Sequence, residues 1–540
     1  MSKRFDPVRL GVLNHLFASI AEEMGASLMR TAFSVNIKER RDLSCAVFDG
    51  DARLVAHAAH IPVHLGSTPS CVRAVLEALR LDRGDVAIVN DPYAGGTHLP
   101  DITLVSPVYL GKSRRPHFYV ANRAHHADVG GITAGSMPLA KHIDEEGVRI
   151  PPTKLMVRGR LERRFLKRFL AQVRTPRERE GDLRAQLSAN RTAEARLGAA
   201  VEKYGAKELG RGIDALLDYS ERMTRHAIRT LPPGTYRFAD VLEDDGLGTR
   251  DIPVRVAVTL RGGRATIDFS GSSPQVAGSV NAVYAVTLSA VFYVFKCLAG
   301  AEIPSNAGGM RPLEVLAPEG SVVNARYPAP VAGGNVETSQ RVVDVVLGAL
   351  AQAAPERFPA ASCGTMNNVT LGGQNARDAS FAYYETIAGG MGARPGIDGL
   401  SGVQTHMTNT RNTPIEALEH AFPFRITGYA IRRGSGGAGK WRGGDGVIRD
   451  YEAAVPTEVT LMTERRLLAP WGLAGGSPGK GGENFLITGK RKISLPAKVT
   501  FELLPGETLS VRTPGGGGWG LPARKRGPKK RRRSPRGDAR

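Results

Sequence analysis

Glycine constrains the fold of this chain more than any other residue type, since 64 of its 540 residues are glycine. Glycine weakens the interior of helices and strands and is favoured in tight turns. Glycine clusters alternate with short strand-like runs throughout residues 425–520. This pattern predicts many turns and glycine-lined loops in place of a bundle of long helices.

The change of pattern along the chain predicts a multi-lobed α+β protein, because 540 residues exceed one ordinary small domain. Helical and strand-like patterns mix in an N-terminal α+β lobe at 1–158. Residues 159–230 are rich in Arg, Glu, Ala and Leu and predict a block of two or three helices. A central α+β region is predicted at 231–424, with an antiparallel meander over 236–271 and helices at 276–300 and 338–353. A β-rich, glycine-rich C-terminal lobe is predicted at 425–522.

The positive charge is concentrated at the C-terminus. Residues 523–540 contain ten Lys or Arg and one Asp, so they contribute +9 to a net charge of +21. A segment so basic and so poor in apolar residues is predicted to be disordered. A solvated extension is the favoured interpretation, a tether to nucleic acid or to an acidic partner is the alternative, and no other nucleic-acid contact is expected.

The cysteines and the hydropathy pattern predict a cytoplasmic protein. The four cysteines, at 45, 71, 297 and 363, form no C-x-x-C pair, which argues against disulfides and thiolate zinc sites. The first residues lack the apolar core and small-residue cleavage site of a signal peptide. No run approaches eighteen apolar residues, so no membrane-spanning helix is expected.

Coarse secondary structure places the polar motifs at the ends of strands. Residues 7–41 have apolar side chains at helical spacing, and 43–58 predict a hairpin around Asp49-Gly50-Asp51. Three further strands are predicted in 84–93, 102–110 and 117–126.

The sequence NDPYAGGTHLPD, residues 90–101, is the first candidate site. It follows a buried strand, which suits an active-site loop. His98 and Asp101 lie three positions apart, and Gly95 and Gly96 allow backbone conformations that other residues avoid.

Two further segments offer metal-binding side chains. ANRAHHADVGG, residues 121–131, also ends a strand and contains His125, His126 and Asp128. Asp42 precedes the first strand of the predicted hairpin.

Together these segments predict a metal site in the N-terminal lobe, for example one built from Asp42, His98, Asp101 and His125. Mixed imidazole and carboxylate ligands suit Zn²⁺, Mn²⁺ or Fe²⁺. The alternative is that these side chains only order their loops through hydrogen bonds.

A second histidine cluster, HAAHIPVHLGS, contains His57, His60 and His64. His60 and His64 have helical spacing, but Pro62 argues against a continuous helix through them. His64 is the predicted pocket residue, although surface or core positions would explain all three histidines equally well.

Three other segments resemble catalytic loops only superficially. Residues 434–446 are no phosphate-binding loop, because Lys440 is followed by Trp441, and no helix is predicted after residues 513–520. Both stretches suit close backbone packing or a flexible lid. Cys363 is a conceivable nucleophile, but a small buried side chain is the favoured interpretation.

Long motifs make this chain resemble the hydantoinase B family, over residues 5 to about 521. That family includes the C-terminal half of 5-oxoprolinase and related subunits of acetone and acetophenone carboxylases. The motifs are ERRDLSCAVFD, HIPVHLGS, GDVAIVNDPYAGGTHLPDITLVSPV, RAHHADVGGITAGSMP, YYETIAGGMGA, THMTNTRNTPIEALE, RGGDGVIRDYE, PWGLAGGSPG and TPGGGGWG.

The resemblance implies a hetero-oligomer, of A₂B₂ type, in which a separate hydantoinase A-type subunit uses ATP. The B-type chain would bind a divalent metal ion, with ligands that match Asp42, His98, Asp101 and His125 here. His126 competes with His125, because the motif does not separate the two neighbours.

The implied reaction is the opening of a lactam or cyclic imide ring that the partner has phosphorylated. Water activated at the metal would attack, with His98, Asp101, His125 and His126 as the catalytic group. Either the ion or the Gly95 and Gly96 backbone N–H groups would stabilise the oxyanion, and Asp128 or His126 would orient a ligand. Pocket-lining roles are expected for His64, Asn90, Asp91, Gly95, Gly96 and Arg123.

Two alternatives to a cyclic amide hydrolase remain open. One is a subunit of an ATP-dependent ketone carboxylase, although the chain length and the ITAGSMP and THMTNTRNTP stretches favour the oxoprolinase branch. The other is a non-catalytic scaffold for the A-type subunit, which would have no need of a full ligand set. The exact substrate and the metal are not readable from the sequence.

Overall fold

The computed structural model describes residues 5–522, and the disorder predicted for the basic tail lies outside the described residues. The α+β prediction is confirmed. The helices are α1 Pro7–Thr31, α2 Val35–Lys38, α3 His64–Ala78, α4 Ile143–Glu146, α5 Arg163–Leu170, α6 Pro176–Tyr204, α7 Ala206–Arg229, α8 Tyr284–Ala299, α9 Ala307–Met310, α10 Ser339–Ala353 and α11 Ile415–Ala421.

The strands form four sheets. They are β1 Leu43–Asp49, β2 Leu54–His57, β3 Val86–Val89, β4 Asp101–Val108, β5 Phe118–His125, β6 Thr153–Val157, β7 Arg160–Leu161, β8 Gly234–Asp244, β9 Arg250–Arg261, β10 Arg264–Asp268, β11 Leu313–Leu316, β12 Asn368–Gln374, β13 Ser380–Thr386, β14 Phe424–Arg432, β15 Gly446–Ala453, β16 Thr457–Met462, β17 Glu483–Thr488, β18 Arg491–Leu495, β19 Lys498–Leu503 and β20 Thr508–Arg512.

The N-terminal sheet has seven strands in the order β2-β1-β5-β4-β3-β6-β7. Its pairs are antiparallel, and β1 and β4 are buried along their whole length. Helices α1 and α6 cover one face, and α3 packs through Cys71, Val72 and Val75 on the other. Because helices cover both faces of this sheet, side chains on both faces are buried. This explains why the strand sequences are continuous apolar runs.

Two helices are shorter than predicted. The helix expected over residues 7–41 stops at Thr31, because the backbone N–H groups of Phe33 and Ser34 donate to Asp182 of α6 at 2.8 and 3.0 Å. The helix expected over 276–300 begins only at Tyr284.

Two sheets lie between the helical block and the C-terminal end. The predicted meander β8-β9-β10 is confirmed, and β11 extends it in parallel to β10. Helix α10 lies against it and is buried at nearly every position. The order β13-β12-β16-β19 joins strands on both sides of residue 425, so one sheet spans the predicted central and C-terminal regions.

Glycine-rich segments pack backbone against backbone beside the last sheet, β14-β15-β20-β17-β18. Gly437 donates to the Gly516 carbonyl at 2.8 Å, and Gly516 donates to Gly444 at 2.9 Å. A Cβ on Gly443 or Gly516 would collide with neighbouring carbonyl oxygens. The prediction of close backbone packing is therefore confirmed.

Within residues 5–522, no helix combines the length and the apolar character that are needed to cross a membrane.

Candidate metal centre

The sheet register brings three predicted ligands together. Asp101 begins β4 and His125 ends β5, and the antiparallel ladder pairs these two residues directly. His98 lies in the turn that leads into β4, three residues before Asp101. The spacing of His98 and Asp101 is visible in the sequence, whereas the pairing of Asp101 with His125 is not. Together they bring the three side chains to one point.

The three side chains are spaced as ligands of one ion. His98 Nε2 lies 3.4 Å from Asp101 Oδ1, and His125 Nδ1 lies 3.5 Å from the same oxygen. All three ligand atoms lie within 4.8 Å of one another and are buried. Two atoms that each lie about 2.1 Å from a tetrahedral ion are about 3.4 Å apart, so the geometry fits a divalent metal.

The second carboxylate oxygen of Asp101, Oδ2, is held by hydrogen bonds. His64 Nε2 lies 3.1 Å from Oδ2, and the Thr97 hydroxyl donates to the same oxygen. Burial acts to raise the pKa of Asp101, but the imidazoles of His98 and His64 outweigh it and hold that pKa well below the usual range. Asp101 is therefore anionic, as a metal ligand must be.

Burial also favours the neutral form of His125 and His64. It lowers the pKa of His125 and of His64 more than the nearby carboxylates raise it. A neutral imidazole keeps a lone pair free for a metal ion.

His125 is oriented by an aromatic side chain. Its ring stacks on Tyr384 of β13 with the centroids 4.5 Å apart and the planes 11° from parallel. The Tyr384 hydroxyl donates to Asn368 at 2.8 Å. Tyr384 is missing from the sequence-predicted site, since nothing in local spacing connects it with His125.

Asp42 faces the same cavity but lies outside the tight group of three. Its backbone carbonyl accepts from the His125 N–H at 3.1 Å. Burial raises the pKa of the Asp42 carboxyl, although His125 and Arg40 oppose the shift.

The two neighbouring histidines point in opposite directions. His126 Nε2 lies 3.0 Å from Gln186 Oε1 of α6, whereas His125 faces Asp101. Successive residues at a strand end alternate between the two faces of the sheet. The strand therefore places only His125 in the metal group.

Of the other predicted histidines and Asp128, only His64 lines the cavity. His57 contacts the Ala58 carbonyl and His60 lies beside Glu22. Asp128 binds the Arg174 guanidinium at 2.8 Å, away from the ligands.

Five residues that were predicted to line the pocket are not among those that line the cavity. They are Asn90, Asp91, Gly95, Gly96 and Arg123. The Asn90 amide donates to the Leu99 and Val148 carbonyls, and Asp91 caps a short turn and pairs with Arg149 at 3.0 Å. Gly95 has φ +78°, which only glycine adopts freely.

Gly96 and Arg123 also make structural contacts. The Gly96 N–H donates to the Asp91 carbonyl at 3.1 Å, so it is not free to stabilise an oxyanion. Arg123 donates to the Thr103 hydroxyl at 2.8 Å and to Ser67 at 2.5 Å, behind the site.

Cys363 is buried, and its sulfur lies 3.6 Å from the Thr405 hydroxyl. Burial raises the pKa of the Cys363 thiol, which suits a packed side chain better than a nucleophile.

The cavity beside the ligands has a volume of about 20 Å³, enough for an ion or about one water molecule. Its lining includes apolar side chains as well as the ligands, an amide and hydroxyls. The lining residues are Asp42, Ile61, Val63, His64, Asp101, His125, Asn335, Val336, Met366, Tyr384, Thr386, Met407 and Thr408.

The hydantoinase B/oxoprolinase family model matches residues 6–522. The chain belongs to this family. The hydantoinase B-type chain is 41% identical to an uncharacterized protein of Methanocaldococcus jannaschii, over 96% of its own length and 91% of that protein. It is also 41% identical to 5-oxoprolinase 1 of Arabidopsis thaliana, over 95% of its own length, but spans only 42% of that longer protein.

A solved structure shares the fold of this hydantoinase B-type chain. It is the ATP-dependent caprolactamase of Pseudomonas jessenii, which superposes with a TM-score of 0.89 at 28% identity. The match covers 96% of this chain and 92% of that one.

Proposed function

We propose that this chain is the metal-binding B-type subunit of an ATP-dependent cyclic amide hydrolase. The observation that carries the proposal is the group of buried ligand atoms on His98, Asp101 and His125 at coordination spacing. The 41% identity to a 5-oxoprolinase and the fold shared with a caprolactamase support a lactam or imide substrate.

A separate A-type subunit would use ATP to activate the ring. The chain spans 42% of the length of the Arabidopsis 5-oxoprolinase, which leaves room there for a second functional part. Neither residues 434–446 nor residues 513–520 have the pattern of a phosphate-binding loop. In the first segment Trp441 follows Lys440, and the second segment contains no lysine.

Each residue of the site has a distinct task in the proposed reaction. His98, Asp101 and His125 hold the ion, with Asp42 as the further ligand predicted from the sequence. A bound divalent ion would polarise the ring carbonyl and lower the pKa of a bound water towards neutrality. His64 keeps the Asp101 carboxylate oriented, which is the usual task of a group behind a metal ligand.

Apolar side chains beside the ligands suit the methylene groups of a ring, which would need the cavity to widen on binding. Ile61, Val63, Met366 and Met407 form this apolar wall. A wall of this kind excludes water and strengthens the electrostatic interactions at the reacting carbonyl.

The experiment that tests the proposal compares wild type, His98→Ala and His126→Gln. Each is reconstituted with its A-type partner and assayed for ATP hydrolysis and ring opening with 5-oxoproline, hydantoin and ε-caprolactam. Elemental mass spectrometry gives the metal content. His98→Ala is expected to lose the ion and more than about 100-fold of kcat, since even losing a group behind a ligand costs 10–100-fold.

His126→Gln is the matched control, because His126 is equally buried but faces Gln186. It is expected to keep the metal. Ring opening that survives in His98→Ala would contradict the proposal. Turnover of ketones with bicarbonate in place of lactams would support a carboxylase, and wild type without metal or turnover would support a scaffold.

A further inference from the structure

We infer that Asn335 supplies its side-chain oxygen as a ligand of the same ion; this inference rests on the proposed metal centre. Asn335 lies in the π-helical turn Gly334–Thr338 that precedes α10, and it lines the cavity. Its amide group is 3.3 Å from His98 Nε2, the nitrogen that faces Asp101 at 3.4 Å. Sequence reasoning missed it, because it lies far along the chain from His98.

The spacing of Asn335 matches the spacing within the group of three ligands. Atoms bound to one ion at about 2.1 Å lie about 3.0 Å apart at 90° and about 3.4 Å apart at the tetrahedral angle. The 3.3 Å between the amide and His98 Nε2 falls between these values. The Asn335 amide thus lies at ligand spacing from His98.

The Asn335 amide can turn either of its two ends towards the ion. With Nδ2 towards His98, the Oδ1 atom is buried and has no hydrogen-bond partner within residues 5–522. The nitrogen and oxygen of an amide exchange places by rotation about the last side-chain bond. A metal ion would occupy the lone pair of Nε2, so an N–H donor would have no acceptor there, whereas the amide oxygen could bind the ion.

The backbone around Asn335 holds this side chain in place. Its N–H donates to the Val331 carbonyl at 3.2 Å, and the Ser339 hydroxyl donates to its carbonyl at 2.6 Å. Gly334 packs so closely on the Asn281 backbone that a Cβ would collide with it. A π turn of this kind is frequent at functional sites, and the side chain is positioned before the ion arrives.

An amide oxygen changes which ion the site prefers. With Asp42, Asp101 and Asn335 as oxygen ligands beside two imidazoles, the set is richer in oxygen than a typical zinc site. Oxygen ligands of this kind suit Mn²⁺. Mn²⁺ alone is therefore the appropriate probe.

The test is an electron paramagnetic resonance titration of purified chains with Mn²⁺. Asn335→Leu keeps the shape but removes the oxygen, and it is expected to weaken Mn²⁺ binding at least tenfold. Asn335→Asp restores an oxygen and is expected to bind at least as tightly as wild type. Asn190→Leu is the control, because Asn190 is also buried but bonds Ser106 and Asn122 away from the cavity.

The outcomes separate this inference from the proposed function. If Asn335→Leu binds Mn²⁺ within twofold of wild type while His98→Ala does not bind it, Asn335 is no ligand and the metal centre stands. If His98→Ala also binds as wild type does, the metal centre itself is wrong.

A crystal structure of the Mn²⁺-loaded wild type gives the answer even if Asn335→Leu fails to fold. An Asn335 Oδ1 at about 2.2 Å from the ion would support the inference. An oxygen that lies beyond about 3 Å would overturn it.

Discussion

Asp101 uses its two carboxylate oxygens for different purposes. Oδ1 faces His98 and His125, and Oδ2 is held by His64 and Thr97. A carboxylate held on one side presents its other oxygen in one direction, so an ion can bind with little reorganisation. At the scale of single residues, the centre depends as much on the groups behind the ligands as on the ligands.

Glu146 is a second buried carboxyl with a positioning task. Its Oε1 accepts from the backbone N–H groups of Val331 and Ala332 at 2.8 and 2.9 Å, close to Asn335. Burial raises the pKa of Glu146 to about 8, although these hydrogen bonds oppose the shift. The folded protein therefore keeps Glu146 protonated at pH values where the unfolded chain ionises it.

This raised pKa predicts a pH-dependent stability. The contribution is fully present below about pH 4.5 and is lost as the pH rises through about 8, because the unfolded chain releases the proton first. Glu146→Gln cannot ionise, so its Tm relative to wild type is expected to rise between pH 5 and pH 8. The measurement is thermal unfolding of the metal-free chains across that range.

Glu202→Gln, at an exposed position of α6, is the control that separates the buried carboxyl from a general effect of removing a surface charge. A Tm difference for Glu146→Gln that stays constant from pH 5 to pH 8 would show that Glu146 is ionised in the folded protein.

At the scale of elements, two kinds of packing occur in one chain. The N-terminal helices and strands interlock through apolar side chains such as Phe17, Phe118 and Leu216. The segments around Gly443 and Gly516 pack through backbone atoms and hydrogen bonds instead. Such packing leaves no room for a side chain, which explains the glycine clusters in the last hundred residues.

Gly516→Ala is expected to destabilise the protein by at least about 1–3 kcal/mol, because its Cβ would collide with the Met391 carbonyl. Urea denaturation followed by circular dichroism measures the loss. Gly210→Ala is the matched control on exposed surface in α7, where nothing lies near the new Cβ. That change should stabilise the helix by roughly 0.5–1 kcal/mol, and equal stabilities for both variants would refute the packing argument.

At the scale of the whole molecule, buried ion pairs connect separate sheets. Arg449 of β15 donates to Glu385 of β13 at 2.8 and 3.2 Å, and both side chains are fully buried. Burial alone would raise the pKa of Glu385, but Arg449 and Arg40 lower it. The ionised pair therefore connects the sheet that carries Tyr384 with the last sheet.

Arg449→Met is expected to lower the free energy of unfolding by about 3–5 kcal/mol, because it leaves a buried carboxylate unpaired. The double variant Arg449→Met/Glu385→Met should recover much of this loss, since no charge then remains uncompensated. Chemical denaturation of the two variants and wild type provides the comparison. A single variant as stable as the double one would contradict this account.

The sequence by itself determined the local features of this protein. The His98/Asp101 spacing, the hairpin around Gly50 and the strands before each polar motif depend on neighbours along the chain, so a pattern predicts them. The long motifs likewise indicated the family that the comparison with known proteins shows.

Only the tertiary structure decided which side chains share the site. The β4–β5 register placed His125 beside Asp101 and turned His126 towards α6. Tyr384 and Asn335 reached the cavity from distant elements, and Asn90 turned away from it into its own loop. Contacts between residues far apart in sequence depend on strand pairing and packing, which have no local signature in the chain.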